Sequence, residues 1–188
     1  MDIRTLPKVS LHDHLDGGLR PETIIELAAE IGHELPATDA KSLRQWFLDS
    51  CDSGSLVRYL ETFVHTTAVM QTRVGLTRVA KEFALDLAKD GVIYGEIRWA
   101  PEQHLSRGLS LDQVVEYVEE GLAAAREEVA AKGGYLQTGQ LITAMRQNDR
   151  AMEIAELAVR HRKNGVVGFD YAGPEDGFSP SRHKAAFS

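Results

Sequence analysis

The amino-acid sequence predicts an α/β fold built on an open parallel sheet. Four short β-rich segments alternate with segments of helical periodicity along the chain. This order is typical of parallel strands that are joined by right-handed helical crossovers. With 188 residues, of which 43% are hydrophobic, the chain can bury one sizeable core. We therefore expect residues 1–188 to form one domain, with no second domain.

Local signals in the sequence set the boundaries of these segments. Pro21 suits the first turn of a helix, and Ser110 with Gln113 forms a capping-box pattern. Asp149 is expected to cap the last helix. We predict helices over residues 21–31, 39–48, 55–70, 73–90, 110–132 and 149–164, and strands over residues 8–17, 92–99, 137–144 and 166–171. Residues 173–188 show no helical stripe long enough to predict a helix. Four strand–helix units would form about half of a (β/α)₈ barrel, since a whole barrel needs roughly 200 to 250 residues.

Composition excludes several classes of protein. The net charge of −7 and the absence of a basic stripe argue against nucleic acid as a partner. No apolar run approaches the roughly 18 residues of a membrane span, and residues 1–7 contain no apolar signal segment, so we expect a cytoplasmic protein without a membrane partner. The single cysteine, Cys51, excludes an intramolecular disulfide and a cysteine-rich zinc site.

A His-x-His pair at the end of the first predicted strand is the main candidate for chemistry. Residues two apart in a strand project to the same side, so His12, His14 and Asp16 are expected to form one row. Val9 and Leu11 would then face the opposite side, toward covering elements. Two imidazoles followed by a carboxylate are typical of a metal site. Two histidines at this spacing also occur in proteins that bind no metal, and the spacing alone leaves both interpretations open.

Further polar residues are expected at the same edge, because the carboxyl ends of parallel strands carry function. The candidates are His12, His14 and Asp16 on the first strand, Arg98 and Trp99 on the second, and Asp170, Ala172 and Gly173 on the fourth. We expect Arg98 to form a buried ion pair, with Glu96 as its neighbour on the same face. The remaining histidines show no ligand spacing and are expected to be surface residues or to have hydrogen-bond partners; they are His33, His65, His104, His161 and His183.

Residues 7–23, PKVSLHDHLDGGLRPET, resemble the opening of the adenosine deaminases. These are zinc hydrolases of the amidohydrolase group, built on a (β/α)₈ (TIM) barrel. The resemblance continues in order through this chain and covers about the first half of the family. It implies a partial barrel made of about the first four βα units.

The resemblance also implies roles for individual residues. His12 and His14 match zinc ligands, which makes Zn²⁺ the expected cofactor. His14, Asp16 and Gly173 are expected to contact substrate, with Asp16 at the ribose 5′-hydroxyl and the Gly173 N–H at the purine. Adenine deaminases of the same group usually have glutamate where this chain has Asp16. Tyr59 and Phe63 match aromatic residues of lid helices, whereas by residue type alone they would be core aromatics.

The activity that the resemblance implies is zinc-dependent hydrolytic deamination of adenosine and 2′-deoxyadenosine to the inosine product. The partner would be a small-molecule purine nucleoside. The family's general acid/base lies in a later His-Ala-Gly-Glu run, beyond residue 188, so no catalytic acid/base is assigned here. The alternatives are a catalytically incomplete half-barrel, either a remnant or a piece completed by another chain, and a related purine deaminase. Open sheet edges of a half-barrel would favour self-association.

Overall fold

The computed structural model describes residue 3 and residues 6–188, except for the side chains of residues 56 and 57. The strands are β1 (Lys8–His14), β2 (Val92–Trp99), β3 (Gln137–Met145) and β4 (Val166–Ala172). The helices are α1 (Pro21–Ile31), α2 (Ala40–Cys51), α3 (Leu56–Val69), α4 (Arg73–Lys89), α5 (Leu111–Ala131) and α6 (Ala151–His161). Short 3-10 segments lie at Leu15–Gly17, Pro101–His104 and Pro180–Phe187.

The four strands form one sheet in the order β1-β2-β3-β4, and every pair is parallel. Successive strands are therefore neighbours, each crossing to the next through helices. Among the described residues β1 and β4 are edge strands, so the sheet is open. This architecture confirms the predicted α/β class and the partial barrel.

The core lies between the sheet and the helices. Ile97 and Trp99 of β2 and Ile142 of β3 are fully or almost fully buried there. Gln140 is buried beside them, where it accepts a hydrogen bond from the Trp99 indole at 3.2 Å and donates to the Val115 carbonyl at 3.2 Å. This buried amide is therefore satisfied on both sides, as a polar group in a core must be.

The strand and helix types were predicted correctly, but several boundaries were wrong. β1 ends at His14 rather than at residue 17, because the chain turns into a 3-10 segment that buries Leu15 completely. A register shift between Ser10 and Asp13 also interrupts the alternation. Val9 and Leu11 do share one face, but they are 58% and 56% exposed instead of covered, because no described element packs on that face of β1.

Three other boundary predictions need correction. The second helix is capped at its start by Asp39, which accepts a hydrogen bond from the Ser42 N–H at 2.9 Å, and it continues to Cys51, after which the Asp52 N–H bonds to the Leu48 carbonyl at 2.9 Å. Asp149 does not cap α6, whose N-cap residue is Arg150 without a side-chain capping bond. Residues Pro180–Phe187 form 3-10 turns with a kink at His183. Within the described residues, no helix is both long and apolar enough to cross a membrane.

Candidate functional site

A cleft of about 610 Å³ opens at the carboxyl edge of the sheet. His14 and Arg98 line it from the strands, Asp16 from the 3-10 segment after β1, and Gly173 from the end of β4. Helix α3 forms the facing wall. The structure thus brings most of the predicted edge residues together from segments that lie far apart in the sequence, whereas His12 and Asp170 do not line the cleft.

His12 and His14 both face one guanidinium group. Arg98 Nη1 lies 3.0 Å from His12 Nε2 and 2.9 Å from His14 Nε2, and the two imidazole centroids are 5.4 Å apart. Since arginine only donates, each Nε2 presents its lone pair to the same point in space. Residues His12 and His14 are therefore arranged like two ligands of a shared cation.

Arg98 is held in place by an ion pair across the sheet. Its Nε donates to the carboxylate of Asp170, and the Arg98 side chain is only 10% exposed. The predicted buried ion pair is confirmed. Its partner lies on β4, while Glu96 accepts a hydrogen bond from the Tyr94 hydroxyl at 2.9 Å.

Asp16 is buried at the floor of the cleft, with 7% of its surface exposed. Its Oδ1 lies 3.5 Å from His14 Nδ1 and has no hydrogen-bond partner among the described residues. Leaving a buried carboxylate oxygen without a donor costs free energy, so a partner supplied by a ligand would be favourable. The turn at Leu15 means that Asp16 reaches the cleft from the 3-10 segment and not from the predicted strand row.

Gly173 follows β4 with a φ of +114°, a conformation that favours glycine. A Cβ at this position would lie 2.6 Å from Gln147 Oε1. The backbone at Gly173 thus borders the cleft without a side chain of its own, so a flat ligand could approach it closely.

The apolar stripe of α3 faces the cleft rather than the core. Tyr59, Leu60 and Phe63 line the cleft, and the first two are 39% and 49% exposed. The rings of Tyr59 and Phe63 meet edge to face, with centroids 5.4 Å apart. Partial burial, followed by the charges of Cys51 and Asp16, raises the pKa of the Tyr59 phenol. The interpretation of Tyr59 and Phe63 as core aromatics, which residue type alone favours, is therefore wrong.

Sequence reasoning missed the wall that β3 contributes. Met145 and Gln147 line the cleft, and Glu102 fixes their loop by accepting hydrogen bonds from the Met145 N–H and the Asn148 side chain, both at 2.7 Å. The signal was available, since Met145 ends β3 and Glu102 lies in the 3-10 segment that follows β2. The same edge rule that selected Arg98 and Gly173 would have selected them.

The donor set fits a divalent metal in part. Nε2 atoms of histidine are good zinc ligands, and those of His12 and His14 converge. A zinc site needs at least one more protein ligand, and no group of three or more His, Cys, Asp or Glu side chains in the described part of the chain is arranged to hold a metal. His12 and His14 are thus candidates for two ligands of a larger set.

The sheet is an open half of a (β/α)₈ barrel, and its polar residues gather at the carboxyl ends of the strands. This is the arrangement found in (β/α)₈-barrel enzymes. The family model for adenosine deaminase matches residues 7–188, and the chain belongs to this family.

Known proteins agree with this assignment. The chain is 59% identical to adenosine deaminase 1 of Streptomyces coelicolor over 186 residues, which cover 98% of this chain and 47% of the relative. An adenine deaminase structure from Arthrobacter aurescens aligns with a TM-score of 0.75 and 27% identity over 95% of this chain and 52% of its own. An amidohydrolase from Burkholderia ambifaria with bound Zn shares the fold, with a TM-score of 0.81 at 20% identity over 98% of this chain and 49% of its own. The chain thus spans about half the length of the curated relatives it matches.

Proposed function

We propose that this chain provides the first half of a zinc-dependent adenosine deaminase site, which converts adenosine and 2′-deoxyadenosine hydrolytically to the inosine product. The observation that carries the proposal is the convergence of the His12 and His14 Nε2 atoms beside Asp16. Identity of 59% to a protein named adenosine deaminase 1 supports the same activity.

In this proposal His12 and His14 hold the metal through their Nε2 atoms. Zinc, when bound, lowers the pKa of a water molecule to about 7 and so supplies a nucleophile at neutral pH. Metal binding by these two Nε2 atoms would require that Arg98 Nη1 not contact them, and Arg98 Nε could still donate to Asp170. No general acid/base is assigned among these residues.

The remaining cleft residues bind and orient the nucleoside. The unpartnered Oδ1 of Asp16 accepts a hydrogen bond from a ribose hydroxyl, and the Gly173 N–H donates to the purine. Tyr59 and Phe63 cover the base and reduce its contact with water. A substrate with both a ribose and a purine satisfies more of these groups than a free base does.

Two binding measurements on the purified chain test this function. We expect zinc to bind at the His pair, as measured by calorimetry, and His12→Ala with His14→Ala to abolish this binding. The variant His161→Asn, which changes a histidine outside the cleft, serves as the control and should retain the metal. Equal zinc binding by the double variant would contradict the assignment.

A nucleoside titration separates adenosine from the alternative of a related purine deaminase. We expect adenosine to bind more tightly than adenine, and Asp16→Ala to remove this preference because the ribose loses its acceptor. An equal affinity for adenine and adenosine in the unchanged chain would favour a nucleobase deaminase.

The second candidate is a catalytically incomplete half-barrel that another chain completes. Open β1 and β4 edges favour it, together with exposed Val9, Leu11 and Val167. Adenosine turnover with added zinc distinguishes the two. Binding without turnover above the His12→Ala, His14→Ala variant supports the incomplete half, whereas turnover that this variant loses means that the missing ligands and acid come from elsewhere, most simply from a second chain.

A further inference from the structure

Three helices beside the cleft meet at a pair of histidines that the proposed chemistry does not use. His33 follows the αL glycine that ends α1, and its backbone N–H bonds to the Ala28 carbonyl at 2.9 Å. His33 Nε2 lies 3.0 Å from Nδ1 of His65, which belongs to α3. Trp46 of α2 packs edge to face on His65, with ring centroids 5.2 Å apart.

Neither histidine of this pair lines the cleft. His33 borders a separate cavity of about 550 Å³, whose lining includes Val64 and Thr67 of α3. The same two residues line the main cleft. Helix α3 is therefore a wall of both the cavity and the cleft, and a shift of this helix would change the shape of both.

A hydrogen bond between two imidazoles requires that one of them accepts. The neutral pair and the singly protonated pair both meet this condition, since one ring keeps a lone pair. When both rings are protonated, no acceptor remains and two positive charges lie about 3 Å apart. Double protonation must therefore break this contact.

The surroundings offer no carboxylate that would stabilise the charged pair. Among the described residues, no carboxylate oxygen lies within 4 Å of either ring, as the ion pairs of the chain show. Arg107, from the loop after Pro101–His104, lines the cavity beside His33 and is itself a cation. The nearest acidic positions in sequence are Glu34, next to His33, and Glu61, one turn before His65, and both side chains are exposed. Burial, followed by the charge of His33, lowers the pKa of His65.

We propose that the His33–His65 pair is a proton-operated latch on α3. While no more than one of the two rings is protonated to the cation, their hydrogen bond ties α3 to the end of α1. Trp46 of α2 packs against the His65 ring at the same place. Double protonation at acidic pH releases α3 and loosens the cleft wall that carries Tyr59 and Phe63. The latch depends neither on zinc nor on the identity of the nucleoside.

Hydrogen exchange of the unchanged 188-residue chain, measured by mass spectrometry between pH 7.5 and 5 and corrected for intrinsic rates, tests the latch. We expect the opening of α3 to increase roughly tenfold or more over this range, the effect of one pKa unit of differential binding. Peptides from α5 provide the internal reference, because a global loss of stability would affect both helices equally.

Two variants distinguish opening of α3 caused by double protonation from opening caused by loss of packing. His65→Phe keeps an aromatic ring against Trp46 but cannot be protonated, and His33→Asn keeps a hydrogen-bonding side chain without a titrating group. Both should make the exchange of α3, relative to α5, independent of pH. If α3 in the unchanged chain shows no specific change with pH, or if His33→Asn retains the same change, the proposal is overturned. Should His65→Phe fail to fold, His33→Asn alone decides.

Discussion

Arg98 contacts the same Nε2 atoms of His12 and His14 that would hold a metal. Its guanidinium lies 3.0 and 2.9 Å from the two Nε2 atoms and is paired with Asp170 on its other side. A guanidinium and a divalent cation repel each other and cannot share these lone pairs. The contacts of Arg98 Nη1 with the two histidines would thus compete with metal binding at the same atoms.

Replacing Arg98 should therefore strengthen zinc binding. In Arg98→Met the histidines lose a competing cation. We expect the dissociation constant for zinc to fall by roughly tenfold, corresponding to about 1.4 kcal/mol. Competition with a chromogenic chelator measures it, and Arg160→Met is the matched control on the surface. Weaker zinc binding by Arg98→Met would show that Arg98 supports the site instead of competing for it.

His104 makes stability depend on pH through burial alone. The side chain is fully buried beside Trp99, its Nδ1 donates to the Met70 carbonyl at 3.2 Å, and its Nε2 has no partner among the described residues. Burial lowers the pKa of His104 to about 4, although the Asp16 charge and the Met70 hydrogen bond act in the opposite direction. The Met70 contact gives this histidine the hydrogen-bond partner expected for it, although only one of its two ring nitrogens has one among the described residues.

The sign of the effect follows from which state binds the proton. Between pH 6.5 and about 4 the unfolded chain binds more protons at His104 than the folded chain, so the free energy of unfolding falls as pH falls through this range. From pH 7 to pH 5 the expected loss is about 2 kcal/mol. Urea unfolding at the two pH values measures it. His104→Leu should be less stable at both, yet should lose about 2 kcal/mol less between them; an equal loss would mean that His104 does not carry the effect.

At the scale of elements, α4 and α5 pack closely because Gly121 has no side chain. A Cβ on Gly121 would contact the Thr77 carbonyl and lie 2.8 Å from the Ala80 Cβ. The Thr77 hydroxyl donates to the Tyr117 carbonyl at 3.1 Å across the same interface. The two helices are thus in contact through backbone as well as side chains.

Gly121→Ala should consequently destabilise the protein. Alanine is the better helix former, but here its methyl group meets backbone that cannot move aside without separating the helices. We expect a loss of about 1–3 kcal/mol in the free energy of unfolding, measured by urea denaturation. Glu127→Ala, on the exposed face of the same helix, should change it by less than about 0.5 kcal/mol. A stabilised Gly121→Ala variant would show that the helices can separate freely.

The elements themselves were predictable because each has a local signal. The capping box at Ser110 and Gln113 is formed as predicted, and the alternation of strand and helix produced the observed sheet. The buried face of α3 was not predictable. Periodicity detects an apolar stripe but not what covers it, and here Thr62 and Thr66 are buried while Leu60 and Val64 are exposed.

The candidate site was likewise predictable where its signal is local, and not where it depends on tertiary packing. His12, His14 and Asp16 lie within five residues, so their motif could be recognised directly. The partner of Arg98 could not be identified, because Asp170 is 72 residues away and the ion pair depends on how β2, β3 and β4 are aligned. The end of β1 was missed because burial of Leu15, a tertiary effect, overrides strand alternation.

At the scale of the whole molecule, the open sheet leaves two unpaired edges. Strands β1 and β4 each have one neighbour among the described residues, so each presents free backbone groups on its outer side. Exposed apolar side chains accompany both edges, with Val9 and Leu11 on β1 and Val167 on β4. An unpaired strand edge flanked by apolar surface favours association, and parallel pairing of β4 with β1 of a second copy would satisfy both.

We therefore expect the purified chain to self-associate with increasing concentration, as measured by light scattering after gel filtration. Val9→Lys with Leu11→Lys should shift the chain toward the monomer, because charged residues on an edge strand oppose pairing. Val74→Lys with Val159→Lys is the matched control, since these valines are 60% and 62% exposed on helices rather than on a sheet edge. Neither pair should greatly change the free energy of unfolding, because all four side chains are already largely in water. A chain that stays monomeric at every concentration, or an equal shift in the control, would mean that the edges are not the surface through which copies meet.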